Sequence, residues 1–311
     1  MKKFEALTIV ECPYSERYGL DYEMAWRIEK GKVISDLFPI TPPRDVHDFN
    51  LCGVYHKAGV PFEIREIKYR PIQDMGVHEV IIKAFSDLCC ESLEKKKALL
   101  LTGYCTFAPG IVGGIQRALG KNTKIGIAWL DSHADISTPS SLPNGILAEM
   151  PLSTILGLGL DSWRLAAGLE KPCDPQHILI SDYRSQSDDQ TKHIEELQIA
   201  CLNTEEFTDH TKWESAVKQL ASKVDVIYLN VDCDILDEKY VPGHIQPEPN
   251  GPTIETTMNN IQVVMETGKV VAYSMFNTYF DLPISGKDVT IFNGMKLIGA
   301  GLGNWEKWPI D

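Results

Sequence analysis

Short, nearly continuous apolar runs alternate with helical patterns along most of this chain, and that alternation leaves few folds open. The clearest runs are Ala98 to Thr102, Lys124 to Leu130, His177 to Ser181, Gln198 to Leu202, Val226 to Val231 and Lys269 to Phe276, with a strand-like stretch from Ala6 to Val10 near the start. Helical patterns cover His78 to Glu94, Pro109 to Leu119, Pro151 to Leu158, Asp188 to Leu197, Thr211 to Ser222 and Ile254 to Glu266. A strand that is apolar along its whole length needs cover on both faces. The pattern predicts an α/β fold with a mostly parallel sheet and right-handed crossovers. No linker divides the chain, so residues 1–311 are expected to form a single domain. The Pro- and Gly-bearing stretches Ser137 to Gly145 and Val241 to Thr253 read as long loops within it. Each follows a strand that ends in acidic residues. In parallel sheets, ligands gather at the carboxyl ends of strands.

The first acidic segment is Asp131-Ser132-His133-Ala134-Asp135, after the run Ile125 to Leu130. Residues two apart in extended chain point the same way. Asp131, His133 and Asp135 would therefore present two carboxylates and an imidazole together. Such groups beside an apolar strand are costly unless a cation compensates them. The plainer reading is a solvated loop with a stray histidine. The second segment is Asp232-Cys233-Asp234-Ile235-Leu236-Asp237, after Val226 to Val231. Alone it could equally be a helix cap or turn. Together the segments offer four carboxylates and an imidazole from two strand ends. Oxygen-rich donors with one nitrogen favour Mn²⁺ or a similar hard divalent ion. More than four donors suit two ions sharing carboxylates, an arrangement that activates water at neutral pH.

Composition narrows the partners. The 43 Asp+Glu against 30 Lys+Arg give a net charge of -13, with no basic block to hold nucleic acid or an anionic membrane. No apolar run approaches the ~20 residues of a membrane span, and no signal core follows Met1. A cytoplasmic protein with free thiols is expected. The 8 cysteines lack metal-finger spacing, and neighbouring Cys89 and Cys90 read as buried helix thiols.

At this point the residues resemble a known family. Asp131-Ser-His-Ala-Asp135 is similar to the Asp-Ala-His-x-Asp motif of the arginase/agmatinase/formiminoglutamase (ureohydrolase) superfamily. Val231-Asp232-Cys-Asp234-Ile-Leu-Asp237, then Val241-Pro242-Gly243 and Pro247-Glu248-Pro249-Asn250-Gly251, resembles its second metal motif and the loops after it. The resemblance covers roughly Leu99 to Asp281. It implies a three-layer α/β/α fold around a roughly eight-stranded parallel sheet, commonly in trimers or hexamers. It also implies that Asp131 and Asp232 bridge two metal ions. Asp135 would complete one shell and hold a bridging hydroxide, and His133 and Asp234 would complete the other. In the family that hydroxide attacks a guanidino or imino carbon, releasing urea or an equivalent.

The chain departs from this pattern at telling positions. The family's Gly-Gly-Asp-His-Ser falls on Thr102-Gly103-Tyr104-Cys105-Thr106, so Cys105 stands where a histidine ligand is expected. Cys105 either ligates as a thiolate, with its pKa lowered from about 8.5, or is a small buried thiol beside a weakly held or missing ion. Met275 falls on the glutamate that pairs with guanidinium, a register supported by Asp281 downstream. Glu149 and His244 could compensate as catalytic groups, or be solvated loop residues. The leading reading is a metal-dependent hydrolase of C–N bonds in a linear amidine or modified guanidine, not a standard arginase, acting on a small molecule. The alternative is a non-catalytic relative serving binding or assembly. A two-metal phosphoesterase is disfavoured, because no Gly-rich phosphate cradle or basic cluster accompanies the acids.

Overall fold

The computed structural model describes residues 2–14, 27–29, 32–34, 48–141, 147–244, 246–278, 286–305 and 309–310. Eight parallel strands form one sheet: β1 (Ala6–Glu11), β2 (Phe62–Glu66), β3 (Lys97–Gly103), β4 (Ile125–Leu130), β5 (Ile178–Ser181), β6 (Ala200–Leu202), β7 (Val226–Asp232) and β8 (Val270–Phe276). Their order across the sheet is β2-β1-β3-β8-β7-β4-β5-β6, and every pairing is parallel. The strands β4, β7 and β8 are buried at every position, as their uninterrupted apolar runs require.

Helices cover both faces. Helices α1 (Val77–Glu94) and α2 (Ala108–Leu119) pack together on one side. Helices α4 (His210–Lys223), α5 (Ile254–Met265) and α6 (Lys287–Leu302) pack side by side on the other, while α3 (Asp188–Leu197) follows β5. Alternation along β8 separates the two layers. Tyr273 donates its hydroxyl to the Leu297 carbonyl of α6 at 2.8 Å. The neighbouring Ser274 faces the other way and bonds Tyr228 and Asn230 of β7 at 2.8 and 3.0 Å. This is the three-layer arrangement expected from the sequence. Among the described residues no helix is long and apolar enough to cross a membrane. All eight cysteines are free thiols.

The chain runs from β3 to β4 past the positions later filled by β8 and β7. Four adjacent central strands, β3, β8, β7 and β4, therefore send their carboxyl ends into one place. Cys105, Asn277, Asp232 and Asp131 stand at or just beyond those ends.

Candidate metal centre

Both acidic segments bring their side chains together by turning, not by staying extended. After β4 the Asp131 carboxylate accepts the backbone N–H of His133 at 2.8 Å. This closes a turn in which the side chain replaces a backbone acceptor. Asp135 then adopts a left-handed backbone, φ 50°, and its carbonyl accepts Leu152 N–H at 3.0 Å. The expected alternation along an extended end is thus replaced by a tight reversal. The reason is local: an Asp at a strand end satisfies the next free N–H groups itself. Asp232 does the same for Asp234 N–H at 3.3 Å and starts a short 3₁₀ turn over Cys233–Ile235.

Two groups of potential ligands result. The ligand atoms of Asp131, His133 and Asp234 lie within 4.8 Å of one another, and so do those of Asp232, Cys233 and His244. His133 Nδ1 is 3.1 Å from Asp234 and 3.4 Å from Asp131, and Ser132 Oγ is 3.0 Å from the same nitrogen. The His133 Nε2 side faces Glu248 at 3.5 Å. His244 Nε2 lies 3.8 Å from Asp232 and 3.9 Å from Asp234. Its Nδ1 accepts the backbone N–H of Gln246 at 3.1 Å. The Cys233 thiol donates to the Asn277 carbonyl at 2.9 Å.

Electrostatics show what the cluster needs. Burial, then the charge of Asp234, pushes Asp131 up to about 7. Burial and neighbouring carboxylates hold Asp135 and Asp232 well above the usual range. Burial also raises Asp234, but His133 beside it outweighs that and leaves its carboxyl depressed. Burial opposes the His133 imidazolium, yet Asp234 first, then hydrogen bonds from Asp131, Asp234 and Glu248, raise its pKa well above normal. For His244 burial prevails and lowers it. Fully ionised, the cluster would carry more buried negative charge than the protein neutralises. In addition, Asp131 Oδ2 and Asp135 Oδ2 are buried with no hydrogen-bond partner among the described residues. A divalent cation on the His133 side fits the excess charge and the unpartnered Asp131 oxygen.

Protons and a cation compete for these oxygens. The Asp131 carboxyl is pushed up to about 7, and a cation would bind its ionised form. The thermal stabilisation given by saturating Mn²⁺ should therefore be larger at pH 8 than at pH 6. A gain equal at both pH values in a melting experiment would contradict a role for Asp131.

Cys105 lies buried beside this centre. Burial first, then Asp135, Asp232 and Asp131, raise its thiol pKa well above normal. Neither converging group includes Cys105 or Asp135. Glu149 is half-buried, and its carboxylate accepts Ser137 Oγ at 3.2 Å and Gln190 Nε2 at 3.1 Å. Met275 is fully buried in β8. Asp281 lies outside the described residues.

Reasoning from the sequence assigned no role to Glu248, Asn277 or Arg184. Glu248 was visible only as a member of the loop Pro247 to Gly251 that resembles the family's, with no role of its own. Asn277 Nδ2 donates to Asp232 Oδ2 and, at 3.4 Å, to Cys105 Sγ. Arg184 follows β5 and forms an ion pair with Asp182. It also donates to the backbone carbonyls of Asp234, Leu236 and Pro249 at 2.8, 3.0 and 3.0 Å, tying the turn after Asp232 to the Glu248 loop. A lone arginine three residues beyond an apolar run was the only signal for it.

Comparison with known proteins agrees with this architecture. An arginase from Entamoeba histolytica is 28% identical over 193 residues, which is 58% of this chain and 62% of that protein. An arginase from Bacillus caldovelox is 26% identical over 171 residues, 54% of this chain and 56% of its own length. These sequence matches thus span less than two thirds of either relative. The crystal structure of the Entamoeba histolytica arginase in complex with L-ornithine superimposes with a TM-score of 0.79 at 20% identity, covering 97% of this chain and 99% of that one. The formimidoylglutamase from Bacillus subtilis gives 0.69 at 12% identity, covering 99% and 89%. At such identities the structural likenesses show the fold. The family model for the arginase family matches residues 41–278, well over half of the sequence, and the chain belongs to the arginase family.

Proposed function

We propose that this protein is a metal-dependent hydrolase that cleaves a C–N bond in a linear amidine or modified guanidine. The observation that carries this reading is the convergence of Asp131, His133 and Asp234 at the carboxyl ends of β4 and β7. A hard divalent ion, Mn²⁺ by the chemistry of these donors, would be held there. When bound, it supplies a water acidic enough to act as nucleophile near neutral pH.

The chain's own residues supply the rest. A backbone N–H can only donate, so the Gln246 contact fixes His244 Nδ1 as an acceptor. The neutral ring then carries its proton on Nε2, the nitrogen facing Asp232 and Asp234. From there it can reach the nitrogen of a leaving amine as the C–N bond breaks. Glu149, braced by Ser137 and Gln190, offers a carboxylate on the Asp135 side to substrate N–H groups. Met275 offers no charge to a guanidinium at the position where the family resemblance implies a glutamate.

A buried cation left without its partner costs several kcal/mol. Arginine and agmatine should therefore be worse than a neutral N-hydroxyguanidine or formimino compound by about a hundredfold or more in kcat/KM. The test is urea and ammonia release by Mn²⁺-loaded protein across these compounds. Rapid arginine turnover would show that Glu149 or another carboxylate replaces the missing glutamate. Silence across the whole panel would favour a non-catalytic binding role.

A further inference from the structure

We infer that the side-chain amide of Asn277 occupies the place of a second cation, so that this centre holds a single divalent ion, on the His133 side. The inference rests on the metal-dependent reading above and narrows it.

Asn277 is fixed from both sides by its backbone. It follows β8, and its N–H donates to the Gly103 carbonyl at the end of β3 at 2.9 Å. Its own carbonyl accepts the Cys233 thiol at 2.9 Å. Its φ of 60° is a left-handed backbone that asparagine tolerates better than most residues. With 7% exposure, the side chain has little freedom to leave. Its two amide hydrogens meet Asp232 Oδ2 and Cys105 Sγ. In this orientation both amide hydrogens have acceptors.

Cys105 completes the closure. Its S–H donates to the Ala148 carbonyl at 3.8 Å while its sulfur accepts from Asn277 at 3.4 Å. Both capacities of a neutral thiol are used without a metal. An ion on this side would draw on Cys105, Asp232 Oδ2 and Asp135, with Asp131 shared between the two sides, yet Cys105 and Asp232 Oδ2 already face amide hydrogens. Asp135 with a shared Asp131 is too small a donor set, and in the group of Asp232, Cys233 and His244 the thiol is already donated to the Asn277 carbonyl. On the other side, His133 Nδ1 and the carboxylates of Asp131 and Asp234 converge with no competing side-chain amide; backbone N–H groups take one oxygen of each carboxylate and leave the other. Asp131 Oδ2 remains unpartnered among the described residues.

The test is to strip the full-length protein with chelator, reload it with Mn²⁺, desalt it, count bound manganese and record its EPR spectrum. One ion per chain, with the hyperfine pattern of an isolated Mn²⁺, is expected. Two ions with a spin-coupled spectrum would overturn this inference and leave the hydrolase proposal standing. No bound ion would overturn both. A double variant, Cys105→His with Asn277→Ala, is expected to bind a second ion and gain the coupled spectrum. A folded double variant that still binds one ion would show that Asn277 is not what excludes the second.

Discussion

Asp131→Ala is expected to abolish Mn²⁺ binding and hydrolysis together while leaving the metal-free fold at least as stable as the parent. The two halves of that outcome have different causes. Asp131 contributes a carboxylate to the group with His133 and Asp234, and its turn places His133 by accepting that residue's N–H. Losing both should remove the ion and, with it, the stabilisation a bound ligand gives, about 2.7 kcal/mol at a hundredfold excess over Kd. Without metal, however, Asp131 is a buried acid pushed up to about 7 and repelled by Asp234. Removing it relieves that repulsion. Melting curves with and without Mn²⁺ separate the effects. A variant that still gains stability from Mn²⁺ would place the ion elsewhere.

Arg184→Ala is expected to cost the most stability of any single change near the site, about 3–5 kcal/mol. The guanidinium is 10% exposed and pairs with the fully buried Asp182. It also donates to the carbonyls of Asp234, Ile235, Leu236, Glu248 and Pro249. Truncation would strand a buried carboxylate that burial already raises to about 7 and would leave several buried carbonyls without donors. Lysine should rescue little, because one ammonium cannot span both loops. Adding Asp182→Asn should recover part of the loss by removing the stranded charge. Urea unfolding measures all of these variants. A loss below about 1 kcal/mol for Arg184→Ala, the range of an exposed pair, would show that the clamp does not hold the loops.

The parts of the fold that could be read from the sequence were those whose signal is local. Strands such as Val226–Asp232 are apolar throughout because helices cover both faces, so their positions emerged within a residue or two. The acidic segments were equally plain, because they sit where apolar runs stop. Edge strand β2, Phe62–Glu66, went unlisted since its Glu63, Arg65 and Glu66 reflect partial exposure. Helix α6 was missed for a physical reason too. Its glycines lower helix propensity, yet a Cβ on Gly301 would lie 2.4 Å from the Tyr273 ring. Close packing on β8 requires the residue that obscures the helix. In the site, Asn277 and Arg184 act through partners up to 172 residues away, contacts that no local pattern encodes. The reversal at Asp131 was hidden because spacing alone does not distinguish an extended end from a turn.

The central claim is that Asp131, His133 and Asp234 hold a catalytic divalent ion. A crystal of the Mn²⁺-loaded protein, measured at the manganese absorption edge, tests it most directly. The account predicts one anomalous peak within bonding distance of Asp131, His133 Nδ1 and Asp234. An absent peak, or one bonded to none of these three residues, would contradict it.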